Sequence, residues 1–206
     1  MLMKAALLLS GGIDSPVAGM IAKGKGIGLV AVHFSLEPFT DNTPEIKSAK
    51  LAEKIGIKKL YVVRHGEVHA EIVKKCNHRY YYIITRRLMW RVAEMIAKRE
   101  KCDFLITGEN LGQVGSQTLY NMAVIDDAVK MKILRPILCN DKNETIEIAK
   151  EFGTYELSSG PEMCSVLGPR HPATKSTVEL IENEEKKVDM QKLLKQSMEN
   201  IRIIEL

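Results

Sequence analysis

The chain has no run of apolar residues long enough to cross a bilayer and no signal-peptide pattern. That excludes a transmembrane helix and predicts a cytoplasmic protein. Cysteine pairs are missing too. Cys76, Cys102, Cys139 and Cys164 lie far apart, with no CxxC among them, so neither a zinc module nor a disulfide framework is expected. His65, His69, His78 and His171 show no metal-ligand spacing and are expected at the surface. Internal repeats and low-complexity tracts are absent. A large excess of one sign of charge is absent as well: 30 Lys and Arg face 26 Asp and Glu, a net +4. That balance permits a nucleic-acid partner without requiring one. With 45% hydrophobic and 27% charged residues over 206 positions, there is ample material for an ordinary globular core.

What is present is an alternation. Apolar β-type runs at 4–9, 28–34, 59–64, 104–107 and 132–134 are separated by amphipathic stretches near 15–23, 44–55, 78–100, 116–123 and 142–152. Strand–helix–strand alternation predicts an α/β fold with a doubly wound parallel sheet, right-handed crossovers and helices on both faces. The character changes after Phe152. Residues 153–174 contain three Pro and three Gly, a long loop of the kind that usually carries function. A charged helical extension over 173–206 follows the main domain (1–172). Its segment 176–201 carries Val178, Ile181, Val188, Leu193, Leu194 and Met198 as apolar anchors, for packing on the domain or on a second subunit.

The most informative stretch is Ser10-Gly11-Gly12-Ile13-Asp14-Ser15, between the first apolar run and a helix with Pro16 in its first turn. Glycines let backbone approach a phosphate, and the unpaired N–H groups and dipole of a helix N-terminus favour an anion. Asp14 would repel that anion unless a cation lay between them, so it is read as a Mg²⁺ ligand. The competing reading is a plain strand–turn–helix corner capped by serine. Thr107-Gly108-Glu109-Asn110-Leu111-Gly112-Gln113 follows another strand at the same sheet edge. There Gly108 allows close approach, and Glu109 or Asn110 is a candidate for a metal or a ribose hydroxyl; a solvated turn is the alternative. Gln117 opens the next helix facing the pocket. His33-Phe34 ends the second strand, where the imidazole is placed to flank a purine or simply to close the strand. Arg86, Arg87 and Arg91 share a long helix, and one of them is a candidate to reach phosphate. Cys164 sits in a loop near Arg170 and Lys175, cations that favour thiolate. Cys139 is a more distant candidate for a resolving thiol.

Together these residues resemble the PP-loop ATP pyrophosphatase superfamily, marked by SGGxDS after the first strand. Within it the chain looks most like the catalytic domain of the ThiI-type tRNA 4-thiouridine synthetases. The resemblance runs through 8–19, Val32-His33-Phe34, 86–93, 107–118, Arg135-Pro136-Ile137, Gly153-Thr154-Tyr155-Glu156 and Pro161-Glu162-Met163-Cys164. It implies ATP bound through Leu8, Leu9, His33, Phe34, Arg86, Gly108 and Gln117. Ser10, Gly11, Gly12, Asp14 and Ser15 would then lie at the phosphates, and Mg²⁺ at Asp14. It also implies adenylation of a tRNA uridine at O4 with release of pyrophosphate, followed by sulfur replacing the activated oxygen. Asp14 is then the catalytic carboxylate and Cys164 the persulfide carrier, supplied by sulfide or a persulfide donor. The expectation is that the chain lacks both the family's N-terminal RNA-binding region, with its ferredoxin-like and THUMP modules, and the rhodanese domain with its sulfur-relay cysteine. The resemblance therefore implies tRNA docking through a separate subunit, a small-molecule carbonyl or carboxylate as acceptor, or a nucleotide-binding subunit of a thiolation complex. A homodimer through 176–201 is a further expectation.

Overall fold

The computed structural model describes residues 3–159 and 166–206. The first strand, β1 (Lys4–Leu8), is buried at four of its five positions. Its successive residues serve two cores, as the two-residue period of a strand requires. Ala6 and Leu8 face one hydrophobic cluster, and Ala5 and Leu7 face the other. A strand covered on both faces reads as a continuous apolar run rather than an alternating one.

From β1 the chain passes through α1 (Asp14–Gly24), β2 (Gly28–Ser35), α2 (Thr43–Ile55), β3 (Lys59–Arg64) and α3 (Gly66–Lys75). A short 3₁₀ turn (His78–Tyr80) leads into α4 (Tyr81–Arg99), β4 (Phe104–Ile106), a second 3₁₀ turn (Gly115–Gln117) and α5 (Leu119–Asp126). Then come β5 (Ile133–Leu134), α6 (Lys142–Glu151), α7 (Tyr155–Ser158), α8 (Val178–Glu185), α9 (Met190–Glu199) and β6 (Ile201–Glu205). The six-stranded sheet has the order β5-β4-β1-β2-β3-β6, parallel throughout except for β6 against β3. Strand order reverses between β1 and β4, and ligands bind such sheets at that switch point, beyond the carboxyl ends.

Helices cover both faces. One core layer gathers Ile84, Leu88, Trp90, Ile96 and Ile125 under α4 and α5, and α8 and α9 add Ile181 and Leu193. The other sets Leu51, Ala52 and Ile55 of α2 and Ala18 and Ala22 of α1 against Leu7 and Leu60. Among the described residues no helix is long and apolar enough to cross a membrane.

Several expectations need correction. The stretch Gly66–Lys75 forms a helix, α3, where no element is predicted. His65 and His69 are not at the surface but 0% and 6% exposed, because each finds hydrogen-bond partners inside. The 176–201 segment is helical as expected, divided into α8 and α9, and Asp189 caps the second by accepting from Lys192 N at 2.9 Å. Its six apolar anchors all pack into the chain's own core. The segment ends in an unpredicted antiparallel strand, in which Ile201 packs on one core layer and Ile204 on the other.

Candidate active site

Leu9 continues β1 by one hydrogen bond, its N–H donating to Val32 O at 2.8 Å. The chain then turns. Ser10 N donates to Ser15 Oγ at 2.9 Å, and the two serine hydroxyls lie 3.0 Å apart. Gly12 N reaches Ser10 Oγ at 3.3 Å. The serines thus stitch the turn to the first helical residues, and Ile13, at the N-cap of α1, provides no side-chain cap. Serine capping of a plain corner is not what the structure shows. An N-terminus left open behind a glycine turn, with the helix dipole along α1, is a ready anion site.

Gly108 explains how β4 joins this loop. A Cβ there would lie 2.5 Å from Ser15 N and 2.6 Å from the Asp14 carbonyl carbon. No real side chain tolerates such a contact with backbone, so only glycine lets the β4 edge seat against the start of α1.

His33 is buried at the end of β2. Its Nδ1 lies 3.0 Å from Leu9 O and 2.9 Å from Ser48 Oγ of α2. Burial holds the imidazole below its ordinary pKa, with the Leu9 carbonyl and Glu45 opposing, so the ring is neutral near pH 7. With Nδ1–H donating to Leu9 O, Nε2 is left as a bare acceptor, and it has no partner among the described residues. Gln117 Oε1, in the second 3₁₀ turn, is also buried and unpartnered. Trp90 Nε1 and Ser158 Oγ share this condition, but Trp90 belongs to the hydrophobic core. Unpaired buried acceptors are costly, and a nucleoside's amino and hydroxyl groups are donors of the kind His33 and Gln117 lack.

The charged groups at the β4 edge serve partly as scaffold. Glu109 is buried and accepts from Arg86 Nη1 at 2.6 Å, Arg135 Nε at 2.9 Å and Thr107 Oγ1 at 3.2 Å. Both its oxygens are therefore engaged by arginine, which argues against the metal or ribose role expected of it. Asn110 Nδ2 donates to the carbonyls of Ile137 and Asn140. Arg86 stays with the site, since one guanidinium nitrogen binds Glu109 and other donors remain. Arg87 and Arg91 do not: both turn to Glu185 of α8, at 2.9 and 2.8 Å. The Arg135–Glu109 pair had no sequence signal beyond its place in the resemblance.

A cavity of about 530 Å³ opens beside Asp14, between the loop after β4 and the start of α6. Cys139, exposed, lines it together with Asn110 and Lys142. Cys76 and Cys102 are buried, and burial pushes both thiols up to about 11, so they remain protonated and inert. Cys164 lies outside the described residues. Of the expected nucleotide residues, Leu8, Leu9, Ser15, His33 and Gln117 are buried and Gly108 is half-buried. Ser10, Gly11, Gly12, Asp14, Phe34 and Arg86 retain some exposure.

The comparisons with known proteins agree with this geometry. The family described as thiamine biosynthesis protein (ThiI) matches residues 3–190. A probable tRNA sulfurtransferase of Finegoldia magna is 41% identical, over 98% of this chain and 54% of that protein. Another, from Moorella thermoacetica, is 39% identical, over 98% of this chain and 53% of its own length. The chain thus spans about half the length of the curated relatives it matches. Among solved structures, a 4-thiouridine synthetase in complex with RNA and bound ATP superposes with a TM-score of 0.93 at 36% identity. That match covers 98% of this chain and 55% of the other. An NMN synthetase from Francisella tularensis, 17% identical with a TM-score of 0.58 over 96% of this chain and 81% of its own, shares the fold alone. A glycine turn before an open helix N-terminus, at the switch point of an α/β sheet and within a family match of 188 positions (3–190), leaves one conclusion: this chain belongs to the ThiI family.

Proposed function

We propose that this chain binds ATP at the β1–β4 switch point and uses it to adenylate O4 of a tRNA uridine, after which sulfur replaces the activated oxygen. The observation that carries the reading is the open N-terminus of α1 behind Gly11 and Gly12, closed on one side by Gly108. Bound ATP supplies an electrophilic α-phosphorus and a pyrophosphate leaving group.

The chain's own groups do the rest. Backbone N–H groups of the 10–15 loop, with the α1 dipole, receive the phosphates. Asp14 holds Mg²⁺, an ion bound through one or two carboxylates plus substrate phosphates rather than by an all-protein cage. A single carboxylate therefore suffices; among the described residues no group of three His, Cys, Asp or Glu is placed to hold a metal. His33 Nε2 and Gln117 Oε1 accept from the nucleoside, and Phe34, Leu8 and Leu9 flank it. Arg86, steadied by Glu109, adds positive charge. The uridine O4 forms the bond to α-phosphorus while pyrophosphate departs with the electron pair of the bond that breaks. Sulfide, or a persulfide sulfur on Cys164 released by a second thiol, then displaces AMP at C4.

Pyrophosphate release is the test. With ATP and tRNA the chain releases pyrophosphate, and Asp14→Asn lowers the rate at least about a hundredfold, the scale of losing a charge-stabilising group. Pyrophosphate released with small carbonyl or carboxylate metabolites but with no tRNA fraction would replace the uridine while keeping the adenylation. Nucleoside mass spectrometry of the product reads the thiolation, and Cys164→Ala with sulfide as donor separates the persulfide role.

A further inference from the structure

Two residues beyond Gln117, the chain turns from buried to bare. Leu119 and Tyr120, in the first turn of α5, are 70% and 58% exposed. Adjacent exposed apolar side chains of this size on an ordered helix mark interaction surfaces. The shelf that carries them is rigid. Asn121, fully buried, donates through Nδ2 to Gly115 O at 2.7 Å and Ala173 O at 2.9 Å, and its Oδ1 accepts from Ser176 Oγ at 2.7 Å. Thr118 caps α5 and donates to Thr174 O at 2.7 Å. The 115–121 turn and the 173–176 strip are thereby one unit.

Basic residues belong to this unit or contact it. Lys175 Nζ lies 4.6 Å from the centroid of the Tyr120 ring, a cation–π contact. Ala173 N donates to Arg79 O at 2.9 Å, which brings Arg79 to the same strip, and Arg170 lies three residues before Ala173. Among the described residues Arg79, Arg170 and Lys175 form no ion pair with a carboxylate. The acids of α5, Asp126 and Asp127, sit at its far end and face Arg135 and Arg87. An exposed aromatic ring with one cation over it, beside a strip that carries two further basic residues, matches the chemistry of single-stranded nucleic acid, in which bases stack and phosphates seek Lys and Arg.

We infer that Tyr120, with Lys175, Arg79 and Arg170, forms a stacking shelf for an unpaired base of RNA, three residues from the nucleotide-site Gln117. Tyr120 supplies the π-face and the three cations hold the flanking phosphates. This inference rests on the RNA acceptor proposed above and adds where the RNA lies.

The test uses the full chain, with fluorescein-labelled single-stranded oligouridylate and bulk tRNA read by anisotropy at two salt concentrations. ATP affinity is read separately by calorimetry. Tyr120→Ala weakens oligouridylate binding about tenfold, within the range for loss of one stacked base. Tyr120→Phe stays within about twofold of wild type, since the ring is kept. Lys175→Gln weakens binding more mildly and lowers the salt slope by about one ion. ATP affinity is unchanged in all three. Equal RNA binding by Tyr120→Ala and wild type overturns the shelf, as does a wild type that binds neither RNA. A change of oligomeric state in Tyr120→Ala at unchanged RNA affinity also overturns it and makes the surface a protein interface. Loss of ATP binding in wild type, by contrast, strikes the proposed function and leaves the RNA result to stand by itself.

Discussion

The molecule treats buried polar groups in two opposite ways. In the wrap formed by α3, α8 and α9 around α4, a histidine chain and an arginine–glutamate cluster meet their partners in full, although Trp90 Nε1 on α4 stays unpaired. Ser197 Oγ donates to Leu193 O at 2.7 Å and so accepts from His65 Nε2 at 3.0 Å. His65 Nδ1 then accepts from His69 Nε2 at 3.1 Å, and His69 Nδ1 from the Tyr81 hydroxyl at 2.7 Å. Arg87 and Arg91 converge on Glu185 from two turns of α4. At the β1–β4 switch point the opposite holds: an uncapped helix N-terminus, a bare His33 Nε2 and a bare Gln117 Oε1 stand together in one region of the fold. Satisfaction marks scaffold. Two unpartnered buried acceptors gathered beside an open helix N-terminus, unlike the isolated Trp90 Nε1, mark a place where another molecule completes the structure.

The sharpest way to break this comparison is to open the wrap. Glu185→Ala leaves Arg87, 1% exposed in its side chain, as a buried cation with only Val124 O and the more exposed Asp127 to answer it. Breaking a buried pair from one side costs about 3–5 kcal/mol, to be read as a lower urea midpoint at unchanged slope. ATP affinity of the folded fraction stays at the wild-type value. A loss below about 1 kcal/mol would place the pair among ordinary surface bridges.

The complementary change strikes the site. Gly108→Ala forces a methyl group into the Asp14–Ser15 backbone, so either the β4 edge or the start of α1 must move. ATP affinity falls on the order of a hundredfold, the penalty for misplacing a preorganised site by about an ångström, while the urea midpoint moves less than in Glu185→Ala. If calorimetry shows wild-type ATP affinity, the close packing of β4 on α1 has no part in nucleotide binding.

These two regions were unequally legible. The 10–15 loop is local: strand, glycines, serines and helix follow one another, and their order alone points to phosphate. The parallel sheet followed likewise from runs such as 4–9 and 59–64, because strands buried on both faces are continuously apolar. The wrap is not local. His65 and His69 read as polar surface residues, since the partner that buries His65 stands 132 residues away at Ser197. Strand β6 was hidden for the same reason: Ile-Arg-Ile-Ile-Glu at the end of a charged helix shows no clean alternation, and only β3 makes it a strand. Within the site, the pairing of Glu109 with two arginines depends on side chains from α4 and the 135 turn, which sequence order does not bring together.

Acid separates the regions again, with a smaller effect. Burial lowers the His69 imidazole to about 3 and His65 well below its ordinary value, the latter aided by the neighbouring His69. Both are neutral when folded, whereas the unfolded chain protonates them near pH 6.5. Their stabilising contribution is therefore complete above about pH 6.5 and is lost as pH falls toward the folded values. Each histidine accounts for at most about 1.4 kcal/mol per pH unit, so His69 alone costs roughly 2 kcal/mol at pH 5. His69→Gln should flatten the decline of stability between pH 7.5 and pH 5 by about one proton. An unchanged slope would show that His69 is not buried as a neutral ring.

The finest distinction comes from Gln117→Leu, in which stability and binding should move in opposite directions. The Oε1 atom is buried without a partner in the free chain, so replacing the amide by an apolar group of similar size removes a desolvation cost. The urea midpoint holds or rises. Binding loses one hydrogen bond worth about 0.5–1.5 kcal/mol, a roughly two- to tenfold weaker ATP affinity. Ser197→Ala, in the wrap, is the mirror image: it takes away a satisfied bridge between His65 and Leu193, lowers stability and leaves ATP affinity alone. Should Gln117→Leu bind ATP at full strength, Oε1 lies outside the nucleotide's reach, and His33 Nε2 becomes the acceptor on which recognition of the base depends.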